Sequence, residues 1–199
     1  NIKLEMTTGW QTAEHPSEQM TVADELEHVL FFVTDVLYRA MPPFYEDLEN
    51  AATRIYGAEA RELTIPPLVR FASWVGGDMD GNPNVNAKTI RSTLARQRSL
   101  VLDLYFRECA RLATTLSQST GRIDIDEAVL QKIEEYRVVF RNAYHSVPAR
   151  HRDMSYRVLL RLIQERLQVT YDDGAYPYET AEQFESDIRL IAQSLENNK

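Results

Sequence analysis

The sequence predicts a mainly α-helical protein with about six helices and one short strand, around Leu68–Trp74. Through most of the chain, apolar residues recur at the spacing that forms one face of a helix. Glycine is scarce, with 7 in 199 residues, which favours long helices over a sandwich or a complete barrel. The strand is predicted where a short apolar run, Leu68–Val75, ends in two glycines.

Length, charge and cysteine content limit the class of protein. A chain of 199 residues with 44% hydrophobic content fits one domain with a core, so residues 1–199 are interpreted as a single helical unit. A net charge of −8 argues against nucleic-acid and anionic membrane partners. The single cysteine, Cys109, excludes a disulfide framework and is predicted to be a buried thiol. With no signal peptide and no long apolar run, we expect a soluble, cytoplasmic protein.

Two helices are predicted before the strand. Thr21 opens the first, and Asp24 stands where it completes a capping box. Met41–Pro43 is predicted to end this helix, because proline removes an N–H donor and clashes with the preceding turn. The second helix spans Phe44–Tyr56 and ends at Gly57, a residue suited to a left-handed C-terminal position.

Four helices are predicted after the strand. Asn86 is placed to cap a long helix that runs to about Gln118. Thr180 and Gln183 have the spacing of a capping box at the start of the last helix. The three later helices are predicted over residues 126–144, 148–170 and 184–195.

The segment 68–86, a predicted strand and loop, departs most clearly from the helical pattern. Gly76, Gly77 and Gly81 suggest backbone with positive φ or close approach to a neighbour. Asp78 and Asp80 concentrate negative charge, which must meet a cation, a backbone N–H group or water. The loop is therefore the candidate functional region of the chain.

Three common loop motifs do not fit this segment. An EF-hand calcium loop beginning at Asp78 needs glycine and glutamate where Pro83 and Thr89 stand. A Walker phosphate loop needs a Gly-Lys-Ser/Thr sequence, which is missing from this segment. The pair Gly76-Gly77 does not supply the glycine pattern of a dinucleotide-binding fingerprint. Two readings stay open: the aspartates accept hydrogen bonds from their own turn, or the loop is a functional site at a strand end.

A resemblance to a known family narrows these alternatives. The segment Phe71-Ala-Ser-Trp-Val-Gly-Gly-Asp-Met-Asp-Gly-Asn-Pro83 resembles the signature of phosphoenolpyruvate carboxylases, F-[ST]-S-W-M-G-G-D-R-D-G-N-P. The likeness extends from about Thr12 to Leu195. Further matching residues are Arg157, Arg161, Arg166, Tyr178, Phe184, Asp187, Ile191, Ser194 and Leu195.

The resemblance implies a fold and a reaction for the parent protein. Family members are several times longer than this chain, so it is expected to be a fragment whose strand belongs to a (β/α)8 barrel. The family reaction joins phosphoenolpyruvate and bicarbonate, with Mg²⁺ or Mn²⁺, to give oxaloacetate and phosphate, an anaplerotic supply to the TCA cycle. A homotetrameric parent is expected, without nucleic-acid or membrane partners.

The resemblance also assigns roles to residues of the loop. Trp74 is expected on the bicarbonate side of the active site, where its indole offers an N–H donor and a flat apolar wall. An architectural role is expected for Gly76, Gly77, Asp78, Asp80, Gly81, Asn82 and Pro83. No metal site is expected in this fragment, and the family's catalytic histidine, metal ligands and arginine loop are missing from it. The fragment alone is therefore expected to be inactive, and the alternative is a non-catalytic helical scaffold that retains the loop.

Four positions depart from the family pattern. Met79 stands where the family usually has arginine, which removes up to five hydrogen-bond donors. Either the partner of that arginine is also changed, or the contact is dispensable. Glu27 stands where the family has an arginine, and His15 and Pro16 replace a basic pair linked to phosphate-bearing activators, so an activator site is not expected on them.

Overall fold

The computed structural model describes residues 2–11, 20–63, 65–80 and 82–198. It is mainly helical, which confirms that part of the predicted fold class, and the described residues form eight α-helices. They are α1 (Ile2–Gln11), α2 (Val22–Phe31), α3 (Tyr38–Tyr56), α4 (Ala87–Thr115), α5 (Glu127–Val139), α6 (Arg141–Ser146), α7 (Ser155–Tyr171) and α8 (Ala181–Asn197). His15 and Pro16, at which an activator site was not expected, lie outside the described residues.

The chain divides into two compact units, Asn1–Gln97 and Arg98–Lys199. The helical pattern of the sequence gives no sign of this division, because α4 runs across it without interruption. Each unit has its own set of internal contacts.

In the first unit, the predicted capping box at the start of α2 is confirmed. The Thr21 hydroxyl accepts a hydrogen bond from the Asp24 N–H at 3.2 Å, and the Asp24 carboxylate accepts one from the Thr21 N–H at 2.9 Å. Hydrogen bonds from the Thr21 side chain and backbone hold the pKa of Asp24 below its usual value. Leu26 and Leu30, on the predicted apolar face of α2, are buried.

The prediction that Met41–Pro43 ends a helix is wrong. A π-helical turn over Phe32–Leu37 follows α2, and α3 then continues through Pro42 and Pro43 to Tyr56. Both prolines are exposed, so water can solvate the carbonyl groups that lose their N–H partners. The predicted end at Gly57 is confirmed, with φ +61° and its N–H donating to the Thr53 carbonyl.

The predicted strand at Leu68–Trp74 is also wrong, since the described part of the chain contains no strand. A strand exists only through hydrogen bonds to a neighbouring strand, and no partner segment is found among these residues. One end of the segment is instead held by a side chain, because the Leu68 N–H donates to the Tyr45 hydroxyl of α3 at 2.7 Å.

The second unit contains the larger apolar core, which is centred on α7. Leu159, Leu160, Leu162 and Ile163 of this helix are fully buried, so α7 is covered on most of its circumference. Residues of α5, α6, α8 and the C-terminal half of α4 complete the core, and Cys109 is among them. The predicted burial of this thiol is confirmed, and burial, with the nearby Glu108 carboxylate, raises its pKa to about 12.

Three predicted helix boundaries in this unit need correction. Phe140, at φ −105° and ψ 52°, interrupts the helix predicted over residues 126–144 and separates α5 from α6. The helix predicted from Pro148 begins with a 3₁₀ turn over Ala149–His151, and α7 itself starts at Ser155. The Thr180 side chain makes no capping hydrogen bond to α8, and the Gln183 side chain accepts a hydrogen bond from the Arg166 guanidinium at 2.8 Å.

Candidate functional site

The candidate loop begins with a tight turn that carries Trp74. The Trp74 carbonyl accepts hydrogen bonds from the N–H groups of Gly77 at 2.9 Å and Asp78 at 3.0 Å. The next side chain, Val75, is only 5% exposed, whereas the Trp74 side chain is 74% exposed. The turn is therefore fixed on its valine side and presents the indole outward.

Gly76 is required at its position for two reasons. Its φ of +75° lies in the region that residues with a Cβ atom rarely adopt. A Cβ built on it would also stand 2.1 Å from the Thr93 Oγ1 of α4, far inside any normal contact. The Thr93 side chain is buried, so it has little room to move away.

The polar side chains of the loop bind the backbone of their own turns. The Asp78 Oδ1 accepts a hydrogen bond from the Asp80 N–H at 3.0 Å, and the Asn82 Oδ1 accepts one from the Asn84 N–H at 3.0 Å. Pro83 lies in the second of these turns. The remaining loop glycine, Gly81, lies outside the described residues.

Asn86 connects the loop to α4, as predicted. Its side-chain carbonyl accepts hydrogen bonds from the N–H groups of Lys88 at 2.9 Å and Thr89 at 3.2 Å, which caps the helix. The Thr89 hydroxyl donates back to the Asn84 carbonyl at 3.0 Å. Val85 is buried, so the end of the loop is held by both packing and hydrogen bonds.

The loop does not have the ligand set of a metal site. Among the described residues there is no group of three or more His, Cys, Asp or Glu side chains that could hold a metal ion. The Asp78 carboxylate already accepts a hydrogen bond from its own turn. The residues of this loop therefore do not fit the Mg²⁺ or Mn²⁺ that the sequence resemblance implies for the parent.

We expect the loop not to bind Ca²⁺ tightly. The glycine and the bidentate glutamate of a calcium loop are replaced by Pro83 and Thr89, and the Thr89 hydroxyl is bound to the Asn84 carbonyl. Calorimetric titration of the chain with Ca²⁺ should give no heat attributable to a site below about 1 µM, the range of high-affinity EF-hands. A sub-micromolar Kd that is lost in Asp78→Asn would contradict this prediction.

The family to which this chain belongs follows from its overall sequence. A model of the family described as phosphoenolpyruvate carboxylase matches residues 1–199. The chain belongs to this family. The match covers the candidate loop and both compact units.

Individual relatives agree with the family match. Phosphoenolpyruvate carboxylases of Xanthomonas campestris and Xanthomonas euvesicatoria are 46% and 45% identical to the chain over 198 residues, and cover all of it. A phosphoenolpyruvate carboxylase of Ralstonia nicotianae is 31% identical over 98% of the chain. The chain spans about a fifth of the length of these relatives, 22% for the two Xanthomonas proteins and 20% for the third.

Two departures from the phosphoenolpyruvate carboxylase pattern can now be placed in the first unit. Met79 is exposed and lies within the turn that the Asp78 carboxylate closes. Glu27 on α2 accepts two hydrogen bonds from the Arg96 guanidinium of α4, at 2.6 and 2.8 Å. The Arg96 guanidinium holds the pKa of Glu27 below its usual value. The acidic residue at position 27 thus has a specific basic partner, which the sequence comparison alone did not reveal.

A buried polar network in the second unit was also missed from the sequence. The Asp187 carboxylate of α8 accepts hydrogen bonds from the Tyr136 hydroxyl and, at 2.6 Å, from the Tyr178 hydroxyl. The Arg166 guanidinium donates to Tyr136 at 2.6 Å and lies 4.1 Å from the centre of the Tyr178 ring. Burial and the Asp187 carboxylate raise the pKa of both tyrosines, so they stay protonated donors. This network joins α5, α7 and α8 with Tyr178 of the connection between α7 and α8, and no residue of the candidate loop 68–86 takes part in it.

In the part of the chain that the structure describes, no helix has both the length and the apolar character needed to span a membrane. The cytoplasmic location stays a prediction.

Proposed function

We propose that this chain is a segment of a phosphoenolpyruvate carboxylase, which joins phosphoenolpyruvate and bicarbonate to give oxaloacetate and phosphate. The observation that carries the proposal is the segment Phe71–Pro83, which follows the family signature within a family match over the whole chain. The full-length enzyme would supply oxaloacetate to the TCA cycle and is proposed to be a homotetramer. Its (β/α)8 barrel would include the segment Leu68–Trp74, which then gains the partner strands it lacks here.

The contribution of this chain to the reaction is proposed to be Trp74 on the bicarbonate side of the active site. An exposed indole on a turn held by two hydrogen bonds can reach a ligand without moving the backbone. Its N–H group can donate to a bicarbonate oxygen, and its ring can exclude water from the enolate. The remaining loop residues, including Asp78 and Asn82, serve to fix the turn by their hydrogen bonds to backbone N–H groups.

The metal of the reaction would be bound by residues outside this chain. When bound there, Mg²⁺ or Mn²⁺ would supply Lewis-acid chemistry to the reaction. Asp78 and Asn82 already accept hydrogen bonds from their own backbone turns, so we assign them no metal-binding role. The family's catalytic histidine and arginine loop, which are likewise missing here, would act from other parts of the full-length protein.

We expect the isolated 199 residues to show no carboxylase turnover, while the full-length protein is active. General acid–base groups each contribute about 10²- to 10⁴-fold, so the absence of several of them removes measurable activity. The measurement is oxaloacetate formation from phosphoenolpyruvate and bicarbonate, coupled to NADH oxidation, for both proteins at equal concentration. Turnover by the 199 residues alone would contradict the proposal that they are one part of the site. An inactive full-length protein whose flanking sequence lacks the histidine motif and the arginine loop would instead support the helical scaffold.

A further inference from the structure

We propose that Thr93 is a positioning residue for Trp74, acting across the contact between α4 and the turn at Gly76. The inference rests on the proposed role of Trp74 on the bicarbonate side of the active site. It implies that α4 helps to set the position of the residue that binds bicarbonate. Thr93 itself touches no reacting atom in this account.

The Thr93 side chain lies very close to the turn at Gly76. Beside the 2.1 Å separation from Oγ1, a Cβ on Gly76 would stand 3.1 Å from both Cβ and Cγ2 of Thr93. All three heavy atoms of the side chain beyond Cα therefore face the glycine. With 6% of its surface exposed, Thr93 fills the space between α4 and the turn, and any larger side chain at position 93 must push Gly76 away.

Gly76 and Trp74 belong to one turn that is held by backbone hydrogen bonds. The Trp74 carbonyl binds the N–H groups of Gly77 and Asp78, so Gly76 lies inside a loop that these two hydrogen bonds close. Val75, between the two residues, is held by its burial. A displacement of Gly76 is therefore transmitted to Trp74 and cannot be absorbed by a flexible linker.

Hydrogen bonds hold α4 in place on both sides of Thr93. Asn86 caps the helix, and the Thr89 hydroxyl binds the Asn84 carbonyl, both within two turns of Thr93. The guanidinium of Arg96, one turn further on, binds the Glu27 carboxylate of α2 through two hydrogen bonds. A change at position 93 consequently moves the turn and leaves the helix in place.

The test compares Thr93→Leu with Thr93→Ser in the full-length protein. Leucine adds bulk against Gly76, whereas serine keeps the Oγ1 that faces it and removes only a methyl group. We expect Thr93→Leu to raise the bicarbonate KM about tenfold and to leave the phosphoenolpyruvate KM within about twofold, a difference that corresponds to loss of one interaction. Thr93→Ser should leave both KM values close to those of the unsubstituted protein. Ser92→Leu is the matched control, because it makes a similar change at the adjacent, exposed position of α4.

A second readout follows Trp74 directly. Fluorescence of each protein minus that of its Trp74→Phe counterpart isolates this indole, and iodide quenching then reports its accessibility. We expect quenching of Trp74 to change in Thr93→Leu and to be unaltered in Ser92→Leu. In the Trp74→Ala background, Thr93→Leu should bring no further rise of the bicarbonate KM, because the two substitutions act on one group.

The outcomes separate the two proposals. If Trp74→Ala leaves bicarbonate kinetics unchanged, the proposed function of Trp74 fails, and the quenching measurement alone decides the positioning role of Thr93. If folded Thr93→Leu changes neither bicarbonate KM nor quenching, the positioning role is overturned. It is also overturned if Thr93→Leu raises the KM of both substrates equally. The same holds if, in the Trp74→Ala background, Thr93→Leu raises the bicarbonate KM by as much as it does in the parent. If Thr93→Leu does not fold, Thr93→Val takes its place, because it puts a methyl group where the Oγ1 faces Gly76 and keeps the volume of the side chain. The same criteria apply to it, and the expected changes of the bicarbonate KM and of the quenching are smaller.

Discussion

We expect Trp74→Ala in the full-length protein to raise the bicarbonate KM, or to lower kcat, by about 10- to 100-fold. A hydrogen bond to a charged group contributes about 1.5–3 kcal/mol, and each 1.4 kcal/mol is about a factor of ten. Binding of phosphoenolpyruvate and of the metal should be kept, because neither depends on the indole in our proposal. Steady-state kinetics with each substrate varied in turn measures the difference.

The same substitution should change the product. With the indole gone, water gains access to the bound enolate, and protonation to pyruvate competes with carboxylation. The ratio of pyruvate to oxaloacetate, measured by separate lactate and malate dehydrogenase assays, should therefore rise. Trp74→Phe keeps the ring and loses the N–H donor, so it separates the two roles of the side chain.

Trp10→Ala provides the control for the loss of an exposed indole. Trp10 lies on α1 and is 91% exposed, more than Trp74, and we assign it no part in the site. Its replacement should leave both KM values unchanged. If Trp74→Ala also left bicarbonate kinetics unchanged at normal stability, the catalytic role would be withdrawn, and Trp74 would be interpreted as a packing residue for another segment of the parent.

Local signals in the sequence predicted local structure well. The capping box at Thr21, the helix end at Gly57 and the cap at Asn86 each depend on side-chain and backbone groups within four residues, and the sequence predicts each correctly. The loop sequence also pointed to the candidate site. Its glycine and aspartate content suggested positive φ and bonds within a turn, and the structure has both, at Gly76 and Asp78.

Features that depend on distant partners could not be predicted in the same way. The segment Leu68–Trp74 has the composition of a strand, but a strand needs a neighbour, and the sequence of one segment does not supply it. Pro42 and Pro43 continue a helix because their surroundings are open, which is a property of the fold. The contact of Thr93 with Gly76 spans 17 positions, and only the requirement for glycine at position 76 hinted that something lies close to it.

The second large effect is expected in the buried network of the second unit. We expect Asp187→Ala to lower the free energy of unfolding by about 3–5 kcal/mol, the usual cost of removing one partner from a buried charged pair. The substitution leaves the hydroxyls of Tyr136 and Tyr178 without their acceptor. It also leaves the buried Arg166 guanidinium, whose Nη1 lies 3.9 Å from the Asp187 carboxylate, without its nearest negative charge. Urea unfolding of the chain, followed by circular dichroism, measures the loss.

Glu185→Ala is the matched control, because Glu185 lies on the same helix two residues earlier and pairs with Arg189 on the surface. An exposed ion pair of this kind contributes about 0–1 kcal/mol, so the two substitutions should differ by at least about 2 kcal/mol. Asp187→Asn keeps a carbonyl oxygen for the tyrosine hydroxyls and removes only the charge, so its cost should be smaller than that of alanine. If Asp187→Ala were no more costly than Glu185→Ala, the network would not contribute to stability. The packing of α7 against α5 and α8 would then rest on its apolar residues alone.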